Sequence, residues 1–187
     1  KELIVVDITN KASPSEVGSY NTSGNDNGYA VFVSNTVAYI GTDESGGDEF
    51  YVLDVSSPGS ISLLGSYEVD DTIRDIKINN SSAYLATEHN STEFLIINVV
   101  DPNNIYLEDS YDTTGNSDAF GLELIENQAY LVTDNGGGND DFYIFDVTNT
   151  STVTSTWSEP QSIGSYNSDE GINPNDVFVD GNYAYLV

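Results

Sequence analysis

Apolar residues in this chain come in short runs, set apart by clusters of Gly, Asn, Asp, Ser and Pro. Nowhere do they recur at the three- and four-residue spacing of an amphipathic helix. The runs are rich in Val, Ile, Leu, Tyr and Phe, which suits strands on a pleated, half-buried surface. They also repeat. The phrase Leu3-Ile4-Val5-Val6-Asp7 returns as Phe50-Tyr51-Val52-Leu53-Asp54, Phe94-Leu95-Ile96-Ile97-Asn98 and Phe142-Tyr143-Ile144-Phe145-Asp146, with final residues 47, 44 and 48 apart. A second phrase stands at Ala38-Tyr39, Ala83-Tyr84, Ala129-Tyr130 and Ala184-Tyr185, and a third at Ser19-Tyr20, Ser66-Tyr67, Ser110-Tyr111 and Ser165-Tyr166.

Each unit reads as four short strands, A to D. In the first complete one these are 29–34, 37–42, 50–56 and 61–69. Tight A–B turns are expected at Asn35-Thr36, Asn80-Ser81, Asn127-Gln128 and Asp180-Gly181-Asn182. Tandem four-stranded units of about 45 residues predict an all-β fold, a β-propeller of four four-stranded blades. The units fall at about 1–28, 29–72, 73–118, 119–172 and 173–187, the last complete one carrying an insertion around 150–161. The first unit holds only strands C and D and the last only A and B. Joined, they make one blade split between the termini. Three arrangements follow: a closed four-bladed ring, a slice of a longer array, or head-to-tail completion of the blade by a neighbouring chain.

At the phrase LIVVD the chain resembles the LVIVD-repeat proteins, bacterial and archaeal surface-type proteins read as β-propellers. The resemblance covers the strand C phrase, the turn Asp54-Val55-Ser56-Ser57-Pro58, the Gly-Ser-Tyr of strand D and the Ala-Tyr of strand B. Asn98 and the insertion depart from it. The resemblance implies a propeller architecture and a surface setting. It carries no catalytic residue across, because the repeated motif is structural.

Charge narrows the partners. With 31 acidic residues against 4 basic ones the formal net charge is −27, which repels phosphate backbones and anionic membranes, so neither nucleic acid binding nor membrane insertion is expected. The absence of cysteine excludes disulfides and thiolate chemistry. In a propeller the B–C and D–A loops share one face, and 19 of the 31 acids fall in those loops. Two B–C loops, 43–49 and 134–141, mix carboxylates with glycines. Hard oxygens on such loops suit Ca²⁺, with Asp43, Asp48, Glu49, Asp134, Asp140 and Asp141 as candidate ligands. The alternative is a solvated acidic turn. Asp7, Asp54, Asn98 and Asp146 are read as caps on the turns that follow. His89, the single histidine, and Trp157, the single tryptophan, are candidate binding residues. One His without Cys makes a zinc site or a Ser-His-Asp triad improbable.

The expected function is a non-enzymatic extracellular or cell-surface binding or structural module, with no cofactor other than Ca²⁺ and with a protein or carbohydrate as partner. One alternative is a subunit of a surface filament or layer assembled through the terminal strands. The other is a polysaccharide-acting hydrolase or lyase built on paired carboxylates.

Overall fold

The computed structural model describes residues 1–24, 26–113, 115–134, 139–148, 160–168 and 173–187. Among the described residues it contains sixteen strands and no helix. β1 (Leu3–Asp7) and β2 (Ser15–Tyr20) form a two-stranded sheet. Three four-stranded antiparallel meanders follow. The first is β3 (Gly28–Ser34), β4 (Val37–Thr42), β5 (Phe50–Asp54) and β6 (Ser62–Tyr67); the second is β7 (Ile73–Asn79), β8 (Ser82–Thr87), β9 (Phe94–Asn98) and β10 (Tyr106–Tyr111). The third is β11 (Ala119–Ile125), β12 (Gln128–Thr133), β13 (Phe142–Asp146) and β14 (Gln161–Tyr166). β15 (Val177–Asp180) and β16 (Tyr183–Leu186) form a second two-stranded sheet.

Repetition extends to the backbone. Asn35, Asn80, Glu126 and Gly181 open the four A–B turns with φ between 53° and 59°, a left-handed conformation that favours Asn and Gly. The third turn therefore lies at Glu126-Asn127, one residue before the position read from the sequence. A bulge interrupts the C–D pairing of every unit, leaving Val17, Leu64, Glu108 and Ile163 out of register. A second bulge in strand A leaves out Tyr29, Arg74 and Phe120. The four strand C ends bond alike: Asp7, Asp54, Asn98 and Asp146 accept from the amides of Thr9, Ser56, Val100 and Thr148 at 2.8–3.1 Å. Asn98 stands in for Asp where the bulge residue is Glu108, because its Nδ2 donates to Glu108 Oε1 at 2.7 Å. An aspartate there would set two carboxylates against each other.

The core lies between sheets. Phe50 and Val52 project from one face of β5 onto Ile73, Ile76, Ala83 and Leu85 of the next sheet. Tyr51 and Leu53 project from the other face, with Ala38 and Ile40, onto Leu3 and Tyr20 of the preceding one. In each complete unit the Ala-Tyr tyrosine stacks on the aromatic that opens strand C, with centroids 6.2–6.3 Å apart for Tyr39–Phe50, Tyr84–Phe94 and Tyr130–Phe142. One expectation is not met within the chain. β1–β2 and β15–β16 remain two separate sheets, and no ladder joins β1 to β16. Each half packs on its sequence neighbour instead, β1–β2 on the first meander and β15–β16 on the third. The insertion at 150–161 lies mostly outside the described residues, so its expected projection from the face opposite the acids does too.

Sheets approach most closely at strand D. A Cβ placed on Gly65 would sit 1.8 Å from the Pro102 carbonyl oxygen, and one on Gly18 would sit 1.7 Å from that of Pro58. These are backbone atoms of the following unit's C–D turn, so no side-chain adjustment relieves the clash. At Gly164 the nearest atom is Ile144 Cδ1 at 3.9 Å. Gly65→Ala is therefore expected to destabilise by about 1–3 kcal/mol, the range for overpacking, while Gly164→Ala changes stability little. Urea unfolding of the two variants checks this; equal effects would contradict the close approach.

Candidate functional site

The acidic loop face is built on a carboxylate just before strand C in every unit. Glu2 Oε2 accepts from the Thr22 amide at 2.7 Å. Glu49 Oε2 accepts from the amides of Val69 and Asp70 at 2.9 and 3.1 Å. Glu93 Oε2 accepts from the Thr113 amide at 2.6 Å and its hydroxyl at 3.0 Å, and Asp141 Oδ2 accepts from the Ser168 amide at 3.1 Å and its hydroxyl at 2.5 Å. Each carboxylate latches strand C to the chain leaving strand D, two residues past the Ser-Tyr tyrosine. Glu49, Glu93 and Asp141 are fully buried. The second oxygen of each is buried without a hydrogen-bond partner.

A second latch ties strand B to the entry of strand A. Asp43 accepts from the Asn27 amide at 2.6 Å and from its Nδ2 at 2.7 Å, and Asp134 Oδ1 accepts from the Asp118 amide at 3.0 Å. In the unit between them Glu88 holds this place and binds the guanidinium of Arg74 through Nε, at 2.7 Å, and Nη2. Arg74 is the only arginine of the chain. Its guanidinium lies 4.4 Å from the ring centre of Tyr29 and 5.6 Å from that of Phe120, so the three strand A bulge residues make an aromatic–cation–aromatic row. Asp118 stands beside this row with its pKa raised, first by burial and then by Asp134, Glu88 and Asp71, while Arg74 acts the other way.

The candidate ligands divide between these arrangements. Glu49 and Asp141 are strand C latches, and Asp43 and Asp134 are strand A latches. Asp48 Oδ2 accepts from the Ser66 hydroxyl. Asp140 is half-buried, and its carbonyl accepts from Thr133 Oγ1 at 3.4 Å. Among the described residues no three His, Cys, Asp or Glu side chains converge to hold a metal ion. The glycines 136–138 of the second loop fall outside the described residues. His89 accepts from the Ser91 amide at 3.2 Å through Nδ1 and so closes its own turn. Trp157 lies outside the described residues. Sequence reasoning placed Glu2 and Glu93 on this face without a role and missed Arg74 altogether. The signal was present: extending the strand C phrase one residue toward the N-terminus yields an acid in all four copies.

LVIVD repeats are matched at residues 1–22, 28–69 and 173–187. No curated protein matches the chain. Among solved structures, the fold is similar to the computationally designed Ika4 protein, with a TM-score of 0.63 and 10% identity over 92% of this chain and 91% of that one. The computationally designed Ika8 protein is similar too, with a TM-score of 0.62 and 11% identity over 91% of this chain and 45% of that one. Both are designed propeller proteins.

Burial of the latches makes stability pH-dependent. Burial raises the pKa of Glu49 to about 8, above its ordinary 4.5, with the adjacent Glu68 carboxyl adding to the shift and the two amides opposing it. Burial likewise raises Glu93. A folded-state pKa above the unfolded one means that the folded chain binds the proton more tightly. The contribution of Glu49 to stability is then greatest below about pH 4.5 and is lost as the pH rises through about 8. Glu49→Gln keeps the neutral form at every pH. In thermal melts it is expected to flatten the decline between pH 5 and 8 (about the window above) and to raise the melting temperature at the alkaline end. A pH profile unchanged by the substitution would contradict this assignment.

Proposed function

For a chain that carries LVIVD repeats at three segments, we propose a non-enzymatic repeat β-propeller module that presents an acidic loop face for binding. One observation carries the reading. The acids that recur with the repeat are used up in latching main chain to main chain, so specificity is left to the residues that vary between units. An extracellular or cell-surface setting belongs to the proposal, supported by the acid-rich, lysine-poor composition.

The acidic face favours cations. Asp26 Oδ1 and Glu49 Oε1 are buried and without a hydrogen-bond partner, and the negative charges of Asp26 and Asp48 act on the buried Tyr51 hydroxyl beside them. Ca²⁺ held near the first B–C loop would offset that charge and stabilise the folded chain by mass action. Millimolar Ca²⁺ is expected to raise the melting temperature beyond NaCl of matched ionic strength, and Asp48→Asn to remove the excess while leaving the main-chain latches in place. Equal shifts from the two salts would reduce this face to a solvated acidic coat.

A hydrolase or lyase reading would rest on Asp118, with its raised pKa, beside Asp134. Incubation with a panel of polysaccharides is expected to give no new reducing ends or unsaturated products. Turnover that disappears in Asp118→Asn would overturn the non-enzymatic reading.

A further inference from the structure

Strand A departs from the repeat at a place that register fixes. Opposite the tyrosine of each Ala-Tyr phrase, Phe32 pairs with Tyr39, Lys77 with Tyr84 and Glu123 with Tyr130. One position of the three complete sheets thus holds an aromatic, a cation and an anion. These unlike side chains line a single cleft of about 490 Å³ at the A–B turn end, away from the acidic loops. Small-molecule sites have volumes of about 300–1,000 Å³, so the cleft is of ligand size. Ile78 and Leu124 follow in β7 and β11, opposite Ala83 and Ala129, and complete an apolar wall with Phe32.

The charges in the cleft do not balance. Asp75 Oδ2 accepts from Lys77 Nζ at 2.8 Å and from the Leu122 amide at 3.0 Å, while its Oδ1 accepts from the Ile76 amide at 2.7 Å. That carboxylate neutralises Lys77 and holds its head at the seam between β7 and β11. One N–H of the ammonium is spent there and two remain for a ligand. Glu123 and Glu126 also line the cleft, and among the described residues neither forms an ion pair. Two uncompensated carboxylates therefore stand beside an apolar wall.

Backbone strain marks one of these acids. Glu126 has a φ of 55° at the place where the other units carry Asn35, Asn80 and Gly181. A glutamate in this left-handed conformation is less favourable than Asn or Gly. Asn79 Nδ2 donates to the Glu126 carbonyl at 3.2 Å and so fastens the strained turn to the end of β7. A strained residue that also lines a cleft carries the argument from the outlier toward function.

We propose that this cleft binds a small organic amine with an apolar body and a neutral oxygen beyond it. The ammonium pairs with Glu123 and Glu126, the body lies on Phe32, Ile78 and Leu124, and the oxygen accepts from Lys77. A carboxylate at the ammonium's place would meet like charge on both sides. The site is separate from the acidic loop face and needs no Ca²⁺.

Tyramine is a suitable probe, titrated calorimetrically in about 0.5 M NaCl to screen the general attraction of a cation to a net charge of −27. Saturable one-to-one binding is expected, and none of 4-hydroxyphenylacetate, which keeps the ring and hydroxyl but carries a carboxylate. Glu123→Gln is expected to weaken tyramine binding about tenfold, as loss of one charge-assisted contact does. Glu126→Asn is the sharper test, because it relieves strain while removing a ligand contact. It is expected to raise the melting temperature and weaken binding about tenfold, with unchanged far-UV circular dichroism. Binding that does not saturate, equal affinity for the two probes, or Glu126→Asn gaining stability with no loss of affinity would each overturn the proposal. The acidic loop face is tested by Ca²⁺ alone, so neither reading falls with the other.

Discussion

Every sheet in this protein is apolar on both faces, and that constraint governs the rest. A strand such as β5, with Phe50 and Val52 on one side and Tyr51 and Leu53 on the other, cannot be covered by a single neighbour. No unit is therefore stable alone, and burial is shared between consecutive units as in other repeat arrays. The close approach of Gly65 to Pro102 and the Tyr–Phe stacks both follow from this requirement for neighbours on two sides.

The acidic composition is compatible with that core because the recurring acids are placed where main chain needs an acceptor. Glu2, Glu49, Glu93 and Asp141 hold the exits of strand D, and Asp43 and Asp134 hold the entries to strand A. Their burial has a cost. It favours the protonated form of Glu49 and Glu93, so the strand C latches of the first and second four-stranded sheets also respond to pH. The one arginine serves the same purpose in reverse, pairing with Glu88 where the strand A latch of the second unit would otherwise be a lone carboxylate.

Strand number, order and phase were legible in the sequence because three phrases recur in fixed order and β-branched residues mark each run. The third A–B turn was misplaced by one residue because Glu126, an uncommon choice for a left-handed position, does not advertise it. The latches were harder to see. A carboxylate bonded to amides twenty residues away looks, in sequence, like a free ligand on a Gly-rich loop, and so Glu49 and Asp141 were grouped as metal ligands. The row of Tyr29, Arg74 and Phe120 was invisible for another reason: it depends on a bulge that puts unlike residues at equivalent places.

Hydrogen exchange followed strand by strand tests the central claim most directly. If covering both faces of each sheet is what holds the fold, amides of β8, β9 and β12 exchange slowest, near the rate set by global unfolding. Those of β1, β2, β15 and β16 then exchange faster by orders of magnitude. Equal protection of the terminal and central strands in the single chain would contradict the claim.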